Sequence, residues 1–323
     1  MEVFKSVFPL LDVGNGVGDK GDIFFDGSRI PLSSQFFSDL QVSMLKVVFV
    51  DSGSGSILSA GTSCVDFIRL YYGVYEEVDC IKRSLSEYVL AVVAKGDGGI
   101  FYDCSLFDLS GALVKSWRID AFDPVLCVGK RMALPLAVSG YIRSVLEFEK
   151  VLECAGEYPG CVVVRDGDLD CRGGLLSSIK DSISDVSAKN KVCVLGLSKT
   201  SSLCTSSGAS AIVAVGSIAG KGPWLYDAGS SVCFVKLHPV SRYIFRCDVL
   251  GRLFLRDALG ALVLQSSDPV FLGYPYGLLD ADKFAQVPLA ELDGLRIRFE
   301  VMSRGVFTGL KSTLDAHSIL DKL

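Results

Sequence analysis

Two carboxylates in this chain follow short runs of apolar, strand-forming residues. Asp51 comes after Val47-Val48-Phe49-Val50, and Asp166 after Cys161-Val162-Val163-Val164-Arg165. Such runs suit strands covered on both faces. A strand held that firmly presents its carboxylate at the carboxyl end, where open mixed sheets usually place ligands. With a glutamate from a helix, the two aspartates make an oxygen-rich set suited to Mg²⁺ or Mn²⁺. Ions of this kind polarise a phosphodiester and supply hydroxide, and a pair of them clamps the attacking and leaving oxygens. Lys199, in Ser198-Lys199-Thr200 after a third apolar run, is a point charge for the scissile or adjacent phosphate. His317 is a candidate proton carrier or further metal ligand. Each residue also has a plainer reading: a capped buried strand, a solvated helix face, an exposed loop lysine, a surface histidine.

The elements that must position these groups divide the chain in two. Early segments read as β: Val47 to Val50, Ser63 to Tyr75, Tyr88 to Ala94 and Ile100 to Phe107, with Gly96-Asp97-Gly98-Gly99 as a turn. After Asp51, the run Ser52-Gly53-Ser54-Gly55-Ser56 reads as a tight turn whose glycines let backbone come close to backbone or phosphate. Phe36 to Leu40 reads as a helix turn. The clearest helix spans about Pro135 to Cys154, with Ile142, Val145, Leu146, Phe148 and Leu152 at three-to-four spacing. Arg143, Glu147 and Lys150 fall on a more polar side of it. Leu175 to Ser187 then separates the strand ending at Asp166 from Val192 to Leu197, the order of a parallel strand–helix–strand unit. Ser206 to Gly222 reads as a small-residue loop or lid. Val232 to Leu237, Tyr243 to Val249 and Leu253 to Leu255 read as strands, and Leu272 to Asp282 as a Gly/Pro-punctuated segment.

Composition bounds the function classes. The chain has 323 residues, half of them hydrophobic and 21% charged, which opposes disorder. A net charge of -5 opposes a uniformly basic nucleic-acid coat, while leaving room for a local basic groove. No apolar run approaches the roughly 20 residues of a membrane-spanning helix. No signal-peptide layout opens the chain, so the expectation is a soluble, cytoplasmic protein without a membrane role. Eleven cysteines occur with no C-x-x-C pair, and several lie inside apolar runs, so they read as buried free thiols. With no repeat and no linker, one domain over 1–323 is expected, with 1–43 as an extension and 44–323 as the core.

Taken in order, the pieces resemble a known family. Asp51 with its Gly/Ser stretch, the Arg- and Glu-bearing helix, and Asp166-Gly167-x-Leu169 form the first half. Gly196-Leu197-Ser198-Lys199-Thr200, Gly273-Tyr274-Pro275-Tyr276 running on to Ala281-Asp282, and Asp315-x-His317-x-x-Leu320-Asp321 form the second. This order resembles the NurA nucleases over Val47 to Leu320. The resemblance implies an α/β, RNase H-like mixed sheet flanked by helices, with additional strands and a helical periphery. It implies a Mn²⁺-dependent DNA nuclease, with Mg²⁺ as a substitute. That activity would be a 5′→3′ exonuclease with single-strand endonuclease activity in end resection and double-strand break repair. It also implies a nucleoid-associated homodimer that docks on a HerA-type hexameric ATPase. Site by site, it implies Asp51, Glu147, Asp166 and His317 as metal ligands, with Glu149 as the alternative helix acid. Lys199 is then catalytic, and Arg143, Tyr274 and Tyr276 bind substrate. The chain departs from the family in reading Asp51-Ser52-Gly53-Ser54 for Asp-Gly-Ser, and in carrying Asp168 where Ser is usual. Two other readings remain. One is an actin- or sugar-kinase-like phosphotransferase with Asp51 to Ser56 as its phosphate loop; the other is a non-catalytic structural partner.

Overall fold

The computed structural model describes residues 21–303, together with 4, 5 and 7. A two-stranded hairpin, β1 (Ile23–Phe25) and β2 (Ser28–Ile30), precedes β3 (Phe37–Asp39), β4 (Val47–Ala60), β5 (Ser63–Glu76), β6 (Asp79–Gly96), β7 (Ile100–Asp108) and β8 (Leu113–Asp120). Then follow α1 (Pro135–Glu157), β9 (Val162–Asp166), α2 (Gly174–Asn190), β10 (Cys193–Ser198) and α3 (Ala211–Ser217). The remainder is β11 (Trp224–Tyr226), β12 (Val232–Lys236), β13 (Phe245–Leu250), α4 (Leu255–Gln265), α5 (Tyr276–Ala285) and α6 (Leu289–Met302).

Eleven of these strands form one mixed sheet in the order β3-β11-β12-β13-β10-β9-β4-β5-β6-β7-β8. Its centre is β6-β5-β4-β9-β10: three antiparallel strands continued by two that run parallel to β4. This is an RNase H-like core. Side chains alternate across β4, so Val48 and Val50 pack with α1 and α2 while Val47 and Phe49 pack with α4 and α5. Helix α1 enters through Pro135, a residue suited to a first helical turn, and buries Val138, Ile142, Val145, Phe148 and Val151 on one stripe. Each such fully buried side chain contributes about 1.5–3 kcal/mol relative to exposure. A third, smaller cluster forms where β1, β2 and α3 meet Trp224, Tyr226 and Phe234.

Several sequence expectations are corrected here. The Gly/Ser stretch after Asp51 is not a turn. It continues β4 in unbroken antiparallel register, from Asp51 opposite Tyr71 to Ser56 opposite Asp66. Its glycines serve close approach instead: a Cβ on Gly53 would lie 2.1 Å from the Ala285 carbonyl oxygen, and one on Gly55 2.9 Å from Leu292. The end of α5 and the start of α6 rest on those bare positions. With no loop there, the phosphate-cradling reading loses its structural basis. Phe36 to Leu40 is mainly a strand, β3, following a single 3-10 turn at Ser34–Phe36. The small-residue segment 206–222 contains α3, whose Ala211 and Val215 are buried. Leu253 to Leu255 leads into α4, because Leu255, Ala258, Leu259 and Leu262 recur at helical, not strand, spacing. The Gly/Pro-punctuated segment opens α5, with Pro275 just before its first residue. All eleven cysteines are free thiols. No helix among the described residues is long and apolar enough to cross a membrane.

Two helix glycines give opposite expectations. At Gly277 in α5 a Cβ would meet the Phe49 ring at 2.1 Å, whereas at Gly294 in α6 it would meet nothing within 4 Å. Gly277→Ala is expected to destabilise by about 1–3 kcal/mol through overpacking. Gly294→Ala is expected to stabilise by roughly 0.5–1 kcal/mol by restricting the unfolded chain. Denaturant unfolding of both variants checks this contrast.

Candidate metal centre

Strand β9 pairs in parallel with β4 from Val162 opposite Val47 to Arg165 opposite Val50. The next residues on the two strands are Asp166 and Asp51, whose side chains therefore project from the sheet side by side. Both share the parity of Phe49 and Val164, which face α5. Leu197 of β10 pairs with Asp166, so Lys199 emerges just beyond the same edge. Helix α5 then lowers Asp282 onto the pair. Carboxylate oxygens of Asp51, Asp166 and Asp282 all lie within 4.8 Å of one another.

Lys199 Nζ stands 2.7 Å from Asp166 Oδ2 and 3.1 Å from Asp282 Oδ1. It also lies 5.6 Å from the centre of the Tyr274 ring. The buried Tyr274 hydroxyl donates to Asp166 Oδ1 at 3.3 Å. Asp51 Oδ1 accepts the Ser52 backbone N–H at 2.7 Å. Burial first, then the charges of Glu147 and Asp166, push the Asp51 carboxyl up from 3.8 to about 8; Asp282 adds to the rise and the Ser52 N–H opposes it. Around Lys199, burial works against the ammonium, but Asp166 and Asp282 outweigh it and hold the group above its ordinary value. Burial and the neighbouring Asp166 raise the Tyr274 phenol as well.

This donor set fits a hard divalent cation. Three carboxylates converge on one point, one lysine faces them, and the ligand atoms the three offer are all oxygens. The charge crowding that raises Asp51 is the crowding such an ion relieves.

Glu147 stands behind this group, on the α1 face of the sheet. It is 1% exposed and therefore no part of a solvated helix face. It accepts a short hydrogen bond from Ser52 Oγ, and its Oε1 lies 2.6 Å from Arg165 Nε in a contact that is an ion pair, not an aligned hydrogen bond. Arg143 completes the network, with Nη1 3.5 Å from Glu147, 2.7 Å from Ser52 Oγ and 3.0 Å from the Ser52 carbonyl. Burying a carboxylate is costly unless it is paired in this way. The adjacent Asp51 and Ser52 thus face opposite sides of the sheet, one to the acidic cluster and one to Glu147.

The structure accordingly brings Asp51, Asp166, Lys199 and Tyr274 together, with Glu147 and Arg143 one layer behind. Glu149 points elsewhere and pairs with Lys115. Tyr276 opens α5 and packs against the apolar cluster on that face. Asp168 takes the Asp170 backbone N–H at 3.2 Å and does not join the acidic group. His317 lies outside the described residues. Asp282 is the member that strand-end reasoning misses; its only sequence signal is its place in Tyr274-Pro275-Tyr276 to Ala281-Asp282.

No family model matches the sequence, and no curated protein is similar to it. Solved structures do resemble the fold. The NurA nuclease from Sulfolobus solfataricus aligns over 98% of this chain and 96% of its own, at 12% identity and a TM-score of 0.53. Human ENDOV aligns over 82% of this chain and 94% of its own, at 14% identity and a TM-score of 0.37. Endonuclease V of Ciona intestinalis, in complex with an inosine-containing DNA, aligns over 76% and 90%, at 11% and 0.40. The chain is built on the fold seen in the NurA nuclease.

Proposed function

We propose that this chain is a metal-dependent deoxyribonuclease, a phosphodiester hydrolase. The observation that carries the reading is the convergence of Asp51, Asp166 and Asp282 at one point beside Lys199. Asp51, Asp166 and Asp282 would hold Mn²⁺ or Mg²⁺ through their carboxylate oxygens. Such an ion, when bound, supplies Lewis-acid polarisation and an activated water. The remaining work falls to the chain's own groups. Lys199, partly exposed at the rim, draws in and orients the substrate phosphate as a point charge. Tyr274, through its hydroxyl, fixes the rotamer of Asp166. Arg143 and Glu147 anchor Ser52 and so hold the strand segment that presents Asp51. His317 is assigned a proton-carrying or ligating role from the sequence pattern, and Tyr276 a substrate-binding one.

The finer reading follows the NurA nuclease, whose fold this chain shares and whose motif order it resembles. It is a 5′→3′ exonuclease with single-strand endonuclease activity, acting in DNA end resection and double-strand break repair. The active form is a nucleoid-associated homodimer docked on a HerA-type hexameric ATPase.

The test is digestion of end-labelled single- and double-stranded DNA with Mn²⁺, Mg²⁺ or EDTA. Cleavage is expected with metal, none with EDTA, and a loss of about 10²-fold or more in Asp51→Asn and Asp282→Asn. DNA left intact in every lane, with a HerA-type partner present, would contradict the reading.

The raised Asp51 carboxyl sets a pH dependence. Between its ordinary 3.8 and about 8, the folded state holds a proton that the unfolded state has released. Stability contributed at this site is therefore present at low pH and is lost as pH rises through that window. In metal-free buffer, thermal scans from pH 5 to 8 are expected to show Asp51→Asn gaining stability over wild type as pH increases. Mn²⁺ must displace the same proton, so its affinity is expected to rise about tenfold per pH unit and level off near 8.

A further inference from the structure

Helix α5 carries two carboxylates that face different ways. Asp282 reaches the acidic cluster, while Asp280 is 7% exposed and points into the sheet. Burying an unpaired carboxylate there would cost several kcal/mol. Asp280 is instead paired on one oxygen by three donors from two strands. The Tyr75 hydroxyl of β5 donates at 2.6 Å, and Arg83 of β6 donates through Nη2 at 2.5 Å and Nε at 3.1 Å. Tyr75 is fully buried, so its hydroxyl has little freedom to move.

The same grip extends one helical turn further. The Arg83 guanidinium lies 5.2 Å from the centre of the Phe284 ring, and Phe284 stacks on Tyr71 at 5.2 Å and 12°. Tyr71 is the residue directly opposite Asp51 in the β4–β5 register. Asp280 and Phe284, at i and i+4, therefore lock one stripe of α5 onto β5 and β6, and β5 is the strand that pairs with β4 at Asp51. Asp282 lies between them in sequence, on another face of the helix. The setting of Asp282 against Asp51 and Asp166 is thus fixed by a clamp whose own groups do not join the cluster.

We infer that Asp280, gripped by Tyr75 and Arg83, is a positioning residue that sets Asp282 for divalent-cation binding. The inference rests on the metal reading of the Asp51–Asp166–Asp282 site. Supporting contacts of this kind, though not ligands themselves, typically change metal affinity by about 10–100-fold when removed.

The test is Mn²⁺ titration of the full chain, followed by electron paramagnetic resonance of free Mn²⁺. Wild type, Asp280→Asn, Arg83→Gln and Tyr75→Phe are compared well below their melting temperatures, with hydrogen exchange of α5 measured in parallel. Ile183→Val, in the opposite core with α2, serves as a destabilised control. Asp280→Asn and Arg83→Gln are expected to weaken Mn²⁺ binding about tenfold or more. Tyr75→Phe should weaken it less, because Arg83 remains. Amide exchange should quicken in α5 but not in β4 or β9, and the Ile183→Val control should bind Mn²⁺ as wild type does. Folded Asp280→Asn that binds Mn²⁺ as wild type does overturns the positioning role alone. A fall in affinity shared equally by Ile183→Val reduces it to general destabilisation and overturns it too. Wild type that binds no Mn²⁺ overturns the metal reading itself, and the positioning role with it.

Discussion

Mutual repulsion among carboxylates is the constraint on which this structure turns. Asp51, Asp166 and Asp282 are brought within one ion's reach of each other, and burial denies Asp51 much of the water that would screen it, while Asp282 stays exposed at the rim. Left to themselves they would separate or take up protons. The fold prevents the first by fixing each on a different packed element. The parallel register of β4 and β9 determines the spacing of Asp51 and Asp166, and neither strand can slip by one residue without exchanging the side chains packed in its two buried faces. Helix α5 is held down on bare Gly53 at one end, and its own Gly277 sits against Phe49 at the other. Lys199 offsets part of the charge, and the raised Asp51 carboxyl records what is left over.

The alternation of β4 connects this cluster to a second polar network on the opposite face. Ser52 and Ser56 face α1, where Ser52 meets Glu147 and Arg143, while Asp51, Gly53 and Gly55 face α5 and α6. A single strand thus carries two differently built surfaces. One is acidic and positioned for a cation. The other is a buried ion network in which Arg165 and Arg143 balance Glu147. Because Asp51 and Ser52 are adjacent, each network stiffens the backbone that presents the other, and Glu147 still acts on Asp51 through its charge.

What the sequence made legible follows from locality. Asp51 and Asp166 could be read because an apolar run ending in a carboxylate is a local pattern, and Lys199 because it closes a third such run. Helix α1 showed in its apolar spacing. The Gly/Ser stretch was misread because glycine suits both a turn and a close approach, and only the α5–α6 corner resting on Gly53 and Gly55 decides between them. Asp282 was hidden because it sits on a short helix behind Pro275, brought to the site by packing with β4 and β5 and not by any strand signal. The choice between Glu147 and Glu149 turned on helix phase: two residues of offset send one into the buried Arg network and the other to Lys115.

The proposed metal centre is one divalent ion held by Asp51, Asp166 and Asp282. Anomalous diffraction from crystals grown with Mn²⁺ tests it most directly. An anomalous peak is expected about 2.1 Å from a carboxylate oxygen of each of the three residues, the distance small octahedral divalent ions favour. Crystals saturated with Mn²⁺ that show no peak there, with the three carboxylates still converging on Lys199, would contradict it.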